Sequence, residues 1–281
     1  MTAANSRPSV SIVIPTLNEA RNLPHIFKLL PADAEVVLVD GRSTDGTEAV
    51  ARAINPGVII VHQTRKGKGN ALASGFAAAS GDIIVMLDAD GSADPAEIED
   101  FVKVLIDGAD FAKGSRFIRG GGSSDITRLR SAGNRALSIL VNLLLRHRFT
   151  DLCYGYNAFW SYCLPVLDLR PGERGGEPQW GDGFEVETLI NIRAALGGLH
   201  IVEVPSYEHS RLMGVTNLNA LSDGLRVLRT IFAEVFRPMP ARLSRGAAAS
   251  RAARRTSPAA DASAVRDLAA ARASAKGHGR P

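Results

Sequence analysis

Residues 82–91 read Asp-Ile-Ile-Val-Met-Leu-Asp-Ala-Asp-Gly, and this stretch decides the fold. The unbroken apolar run Ile83 to Leu87, opened by two β-branched side chains, suits a strand buried on both faces, as in a parallel sheet covered by helices. Outward from it, short apolar runs at residues 9–14, 35–40, 58–62 and 110–113 alternate with helical patterns at 20–30, 47–54, 70–79 and 95–106. The alternation predicts βαβ units and an α/β architecture, a mostly parallel sheet flanked by helices. Asp94-Pro95 gives the last of these helices a cap followed by proline in its first turn.

Beyond Gly114 the alternation weakens. Residues 119–125 (RGGGSSD) read as a mobile glycine-rich loop, followed by a long apolar helix over 126–146. A strand at 157–160, a Gly/Pro-rich loop at 169–183, a helix at 184–196, a strand at 200–204 and a final helix at 218–236 complete the expectation. From Pro238 onward there is no Phe, Ile, Tyr or Trp, too little apolar surface to order the chain. The expected organisation is therefore one domain, residues 1–237, and a disordered basic tail, residues 238–281, with an electrostatic tether to an anionic membrane as the alternative use of that tail.

Charge supports this division. Of 281 residues with net charge +4, those from Arg237 onward carry ten Lys and Arg against Asp261 and Asp267, or +8, leaving the preceding 236 residues at −4. An acidic body argues against nucleic acid as a partner. Cys153 and Cys163 are too few for a disulfide framework, which fits a reducing, cytoplasmic setting. The N-terminus has no apolar signal core, and the apolar stretch 136–145 is too short to span a bilayer.

In an open α/β sheet, ligands bind where the strands end at their carboxyl side. Three polar segments sit there: 15–19 (PTLNE), 40–47 (DGRSTDGT) and 88–91 (DADG). Asp88 and Asp90, two carboxylates one residue apart beyond a buried strand, repel unless a hard cation joins them, and Mg²⁺ or Mn²⁺ completed by substrate phosphates is the natural one. Helix capping by one aspartate, with the other solvated, is the bland alternative. Residues 65–70 (RKGKGN) form a cationic, glycine-rich loop entering a helix, an arrangement that favours phosphate and places Lys68 against a donor. Neither a Walker A loop nor a G-x-G-x-x-G after the first strand is present. His62, His200 and His209 show no zinc-ligand spacing and are assigned to no metal.

IPTLNE, VDGRSTDGT, KGKGNAL and VMLDADG, in this order, resemble the N-terminal half of the family 2 inverting glycosyltransferases of the Rossmann-like GT-A fold. The resemblance implies that Pro15, Asn18, Glu19 and Asp40 bind the nucleotide donor, Asp40 near the base. It also implies that Asp88 and Asp90 are the metal-binding DxD pair, Asp90 the direct ligand. Gly41 stands where a second aspartate is usual, which leaves the base preference open. In the second half, 114–117 (GSRF), 130–134 (RSAGN), Asp151 with Gly155, 183–187 (GFEVE) and 209–214 (HSRLMG) resemble the polyprenyl-phosphate, dolichol-phosphate mannose synthase-type branch. There the corresponding arginines imply acceptor-phosphate binding by Arg116 and Arg130 and donor-diphosphate binding by Arg211.

The chemistry expected is metal-dependent, inverting transfer of a hexose from a nucleotide sugar, of GDP-mannose or UDP-glucose type, to a polyprenyl phosphate at the inner face of the cell membrane. Guanidinium groups would relieve the repulsion between acceptor phosphate and donor diphosphate. Arg128 competes with Arg130 for the acceptor role. A phosphate acceptor needs no strong base; a hydroxyl acceptor, soluble or on a polysaccharide, does. Asp182, Glu185 and Glu187 are the candidates for that base, Asp182 first, with helix capping as its competing reading. A catalytically silent nucleotide-binding scaffold is the rival of another class, against which the DAD pair, KGKGN and Arg211 stand. The helix over 126–146 reads first as core, and second as a contact with the bilayer that carries a lipid acceptor.

Overall fold

The computed structural model describes residues 7–173, 175–213 and 220–237, with the backbone alone described for 220–223. The expected tail, residues 238–281, and Gly214 of the HSRLMG segment lie outside the described residues.

The alternation read from the first half is present. In order come β1 (Val10–Thr16), α1 (Leu23–Leu29), β2 (Glu35–Asp40), α2 (Thr47–Ile54), β3 (Ile59–His62), α3 (Lys68–Ala78), β4 (Ile83–Met86), α4 (Ile98–Ile106) and β5 (Phe111–Ser115). There follow β6 (Gly122–Ser123), α5 (Arg128–Leu145), β7 (Asn157–Trp160), α6 (Leu164–Leu167), α7 (Val186–Leu196), β8 (Ile201–Pro205), β9 (Tyr207–Glu208) and α8 (Ala220–Val235). Asp94 caps the 3₁₀ turn Pro95–Glu97 ahead of α4, its side chain accepting from the Ala96 amide at 2.9 Å.

Seven strands form one sheet in the order β3-β2-β1-β4-β7-β5-β8. All neighbours are parallel except β7, which runs antiparallel between β4 and β5. The outcome is the mostly parallel sheet of the sequence reading, with one reversed strand whose order no local pattern shows. β4 is buried along its whole length, as its unbroken apolar run requires. Helix α3 approaches the sheet closely at Gly75: a Cβ there would lie 2.3 Å from Val13 Cγ1 and 2.8 Å from Val39 Cγ2, so only glycine fits.

The main core fills both faces of the sheet around Ile12, Leu38, Ile84, Phe101, Phe111 and Phe159. A smaller cluster, Val141, Phe149, Leu152, Ile192 and Ile231, joins α5, α7 and α8. Helix α5 is thus core on one side only, and Leu129, Ile139 and Leu143 on it are exposed. The glycine-rich segment 119–125 is pinned rather than loose: β6 pairs with β9, and Ser123 Oγ donates to Glu208 Oε2 at 2.5 Å. The tie comes from residues more than eighty positions away, beyond the reach of a local reading. No helix among the described residues is long and apolar enough to cross a membrane.

Candidate active site

The carboxyl ends of β1 and β2 are knitted together by their own loops. Asn18 adopts a left-handed backbone (φ 60°), which asparagine tolerates because its short amide bonds locally. Its backbone N–H donates to the Ser43 hydroxyl oxygen at 2.8 Å, and its Oδ1 accepts from the Thr44 amide at 2.9 Å. Asp45 accepts from the amides of Ala20 and Thr47 at 3.0 Å each. Pro15 is paired in register with Val39, and Thr16 with Asp40. Asn18 therefore shapes the crevice, while Asp40 is buried within it. Asp40 Oδ2 accepts from the amides of Arg42 and Ser43 at 2.7 and 2.9 Å, and its Oδ1 meets no donor among the described residues.

Past β4, each carboxylate of the DAD pair has a cation beside it. Lys68 Nζ reaches Asp88 at 2.7 Å and Glu187 Oε1 at 2.5 Å. Burial opposes the charge on Lys68, yet the two carboxylates outweigh it and hold its pKa above the ordinary value. Burial likewise pushes the Glu187 carboxyl up. Asp90 accepts from the Ser92 amide at 3.0 Å and pairs with Arg211 Nη1 at 3.2 Å. Glu19 lies near both aspartates, and burial first, then the repulsion of Asp90 and Asp88, raises its pKa to about 7 against the relief of the Asn22 amide.

Next to this acidic group a cavity of about 350 Å³ opens, lined by Lys68, Asp88, Arg116, Arg130, Glu187 and Arg211 and walled by Ile126, Leu129, Leu137, Phe184 and Val227. The structure thus gathers the three family arginines with Lys68 and Asp88. Arg116 is buried and clamped: it donates through Nε and Nη2 to Asp151 at 2.7 and 2.9 Å, and through Nη1 to Glu208 at 2.9 Å. Despite its burial, those carboxylates raise its pKa. Asn134 supports the clamp through Asp151 Oδ1 at 3.0 Å. Arg130, in the first turn of α5, pairs with Asp125 at 3.3 Å, its one side-chain partner among the described residues. The competing Arg128 opens the helix and does not line the cavity.

Two readings change. The glycine loop 65–70 does not offer its helix end to phosphate, because the amides of Gly69 and Asn70 donate to the Asp182 carbonyl at 2.7 and 3.3 Å. A Cβ on Gly69 would lie 1.7 Å from the Gly181 carbonyl, so the glycine admits a second segment of chain. Asp182, the first choice as proton acceptor, lies apart from the large cavity, in a smaller one with Arg65 and Arg193. Both its oxygens accept from Arg65 at 2.7 Å, and although burial opposes ionisation, Arg65 holds its carboxyl below the usual range. That bidentate ion pair engages both carboxylate oxygens. Helix capping also fails as its description, since Glu185 is the cap residue of α7 and makes no capping bond.

Sequence reading missed Glu208 as the second partner of Arg116, which only the β6–β9 pairing brings into place. It also set His62 aside by spacing. Register places His62 beside Asp40, with Glu48 completing a trio whose ligand atoms lie within 4.8 Å of one another.

Comparison with known proteins agrees with this arrangement. Residues 11–163 match the Glycosyl transferase family 2 model. The chain is 32% identical over 220 residues to the undecaprenyl-phosphate mannosyltransferase of Micrococcus luteus, covering 75% of this chain and 87% of that one. It is 30% identical over 219 residues to the polyprenol monophosphomannose synthase of Mycolicibacterium smegmatis, covering 74% and 80%. Among solved structures, glucosyl-3-phosphoglycerate synthase from Mycobacterium tuberculosis in complex with Mg²⁺ and uridine diphosphate superimposes with a TM-score of 0.61 and 26% identity, over 83% of this chain and 81% of that one. The chain belongs to the family 2 glycosyltransferases of GT-A fold, in the polyprenyl-phosphate mannose synthase branch.

Proposed function

We propose that this glycosyltransferase, acting as a single catalytic domain over residues 1–237, transfers a hexose from a nucleotide sugar of GDP-mannose or UDP-glucose type to a polyprenyl phosphate, with inversion. The observation that carries the reading is the cavity itself, which is lined by three arginines, by a set of apolar side chains and by Asp88 of the DAD pair, with Asp90 paired to the lining Arg211. An anionic head on an apolar tail fits that lining. The names of the Micrococcus and Mycolicibacterium relatives support the same acceptor class.

In this reading Pro15, Asn18 and Glu19 shape the donor crevice, and the unpartnered Asp40 Oδ1 accepts an N–H of the base. Burial first, and then the repulsion of Asp90 and Asp88, drives Glu19 toward neutrality, and two aspartates one residue apart are an all-oxygen donor set that suits a hard divalent ion. Asp90 and Asp88 would hold Mg²⁺ or Mn²⁺, and the ion would supply Lewis-acid stabilisation to the departing diphosphate. Lys68 and Arg211, now paired with these aspartates, stand ready to meet donor phosphate oxygens. Arg130 receives the acceptor phosphate, with the positive charge of the clamped Arg116 in the wall of the same cavity. That phosphate is already ionised at neutral pH, so attack on the anomeric carbon needs no proton acceptor, in keeping with the locked Asp182.

The protein would work at the cytoplasmic face of the membrane that holds the lipid. The test is incubation of the purified full chain with radiolabelled donor, Mg²⁺ and a polyprenyl phosphate. Label is expected in the organic extract, in acid-labile form, and only when the lipid is present. Donor turnover with all label left in the aqueous phase would exclude the lipid acceptor.

A further inference from the structure

We infer that Asp40, Glu48 and His62 form a second metal site, suited to Zn²⁺, whose occupation excludes the nucleotide donor. The exclusion rests on the reading of Asp40 as the base contact; the site itself does not.

The three residues come from three elements. Asp40 ends β2 and His62 ends β3, and the two are in-register partners of a parallel pair, so their side chains leave the sheet on the same side. Glu48 is the second residue of α2, and its carboxylate reaches the His62 imidazole. One ligand atom from each lies within 4.8 Å of the others, and His62 Nδ1 is 3.5 Å from Glu48 Oε1. In a tetrahedral zinc site with bonds of about 2.1 Å, neighbouring ligand atoms are about 3.4 Å apart. The imidazole and the glutamate already stand at that separation.

An independent observation points to a ligand. Asp40 is 1% exposed; two backbone amides fix its Oδ2, while Oδ1 is buried without a donor among the described residues. A buried carboxylate oxygen left so costs free energy that a cation or a hydrogen-bond donor would recover. Glu48 and His62 are partly exposed, so an ion has a way in from solvent while its anchoring ligand stays rigid. Imidazole with two carboxylates suits zinc, whereas Mg²⁺ prefers the all-oxygen set at Asp88 and Asp90. The molecule thus separates two cations by donor chemistry. One is matched to the diphosphate, and the other sits on the oxygen that the base requires.

The test is calorimetric titration of ZnCl₂ into the full chain with millimolar Mg²⁺ present, beside steady-state kinetics with varied donor. One zinc ion is expected to bind with micromolar affinity, weakened at least tenfold in His62→Ala and in Glu48→Gln, with thermal midpoints unchanged. Zinc is expected to raise the donor KM and leave kcat unaltered, an effect lost in His62→Ala, whose zinc-free transfer equals that of the wild type. Absence of binding, or equal zinc affinity in His62→Ala, would overturn the site. Binding that needs His62 but leaves the donor KM unmoved would overturn the exclusion and, with it, the assignment of the base to Asp40. If the chain turns over none of the donors tried, the calorimetry still decides the site.

Discussion

Arg116 and Arg211 reach the same cavity, but one is locked in place and the other is lightly held. Arg116 is buried, bidentate on Asp151 and bonded again to Glu208. Arg211 keeps a side chain 30% exposed and, among the described residues, pairs with Asp90 alone, at 3.2 Å. The loop at 65–70 shows an intermediate case: Arg65 is sealed against Asp182, while Lys68, three residues on, lines the cavity but is largely buried between Asp88 and Glu187. The difference separates framework from exchangeable charge. A guanidinium whose partners are buried cannot leave without stranding them, whereas one at a wet edge can trade its carboxylate for a phosphate at little cost.

The contrast can be broken most forcefully at Arg116. Its replacement by Ala strands Asp151 and Glu208, and a loss of about 3–5 kcal/mol in urea unfolding is expected; a loss below about 1 kcal/mol would show that the clamp is not framework. Arg211→Ala should do the reverse, lowering kcat about a hundredfold, equivalent to about 2.7 kcal/mol, with an almost unmoved unfolding midpoint. Asp182→Asn sharpens the division. It should cost about 2 kcal/mol of stability, as for a weakened charged hydrogen bond, while kcat per folded molecule stays within about twofold of wild type. A collapse of kcat without loss of stability would return Asp182 to the chemistry.

The smallest effect concerns Glu19. Its folded pKa, about 7, lies above the ordinary 4.5, so the unfolded chain gives up this proton first. In the metal-free protein the group's contribution is full below about 4.5 and is lost as pH rises through about 7. Glu19→Gln should remove that loss, stabilising the protein at pH 8 relative to pH 5 by about 1 kcal/mol once its half-exposed setting is allowed for. Thermal unfolding of both chains across that range is the measurement.

What could be read beforehand follows the range of the forces involved. β1, β2 and β4 announce themselves because burial on both faces demands continuous apolar residues, and Asp88 and Asp90 are legible because they are neighbours in sequence. The glycines of the 65–70 loop misled for the opposite reason. Their sequence matches a phosphate cradle, but their use is set by the Gly181–Asp182 backbone more than a hundred residues away. The same holds for Glu208, delivered to Arg116 by a two-residue strand, and for His62, delivered to Asp40 by register. Local pattern reports local chemistry, and contacts closed by topology stay hidden until the strands are in order.

The reversed strand has a consequence for synthesis. β7 fills the place between β4 and β5, so the fully apolar edge of β4 has no partner when it leaves the ribosome. At about 5–20 residues per second, the roughly 70 residues that separate the two strands take about 4–14 s to appear. During that interval the nascent chain carries an open, hydrophobic sheet edge, the kind of surface that recruits chaperones or other copies of itself.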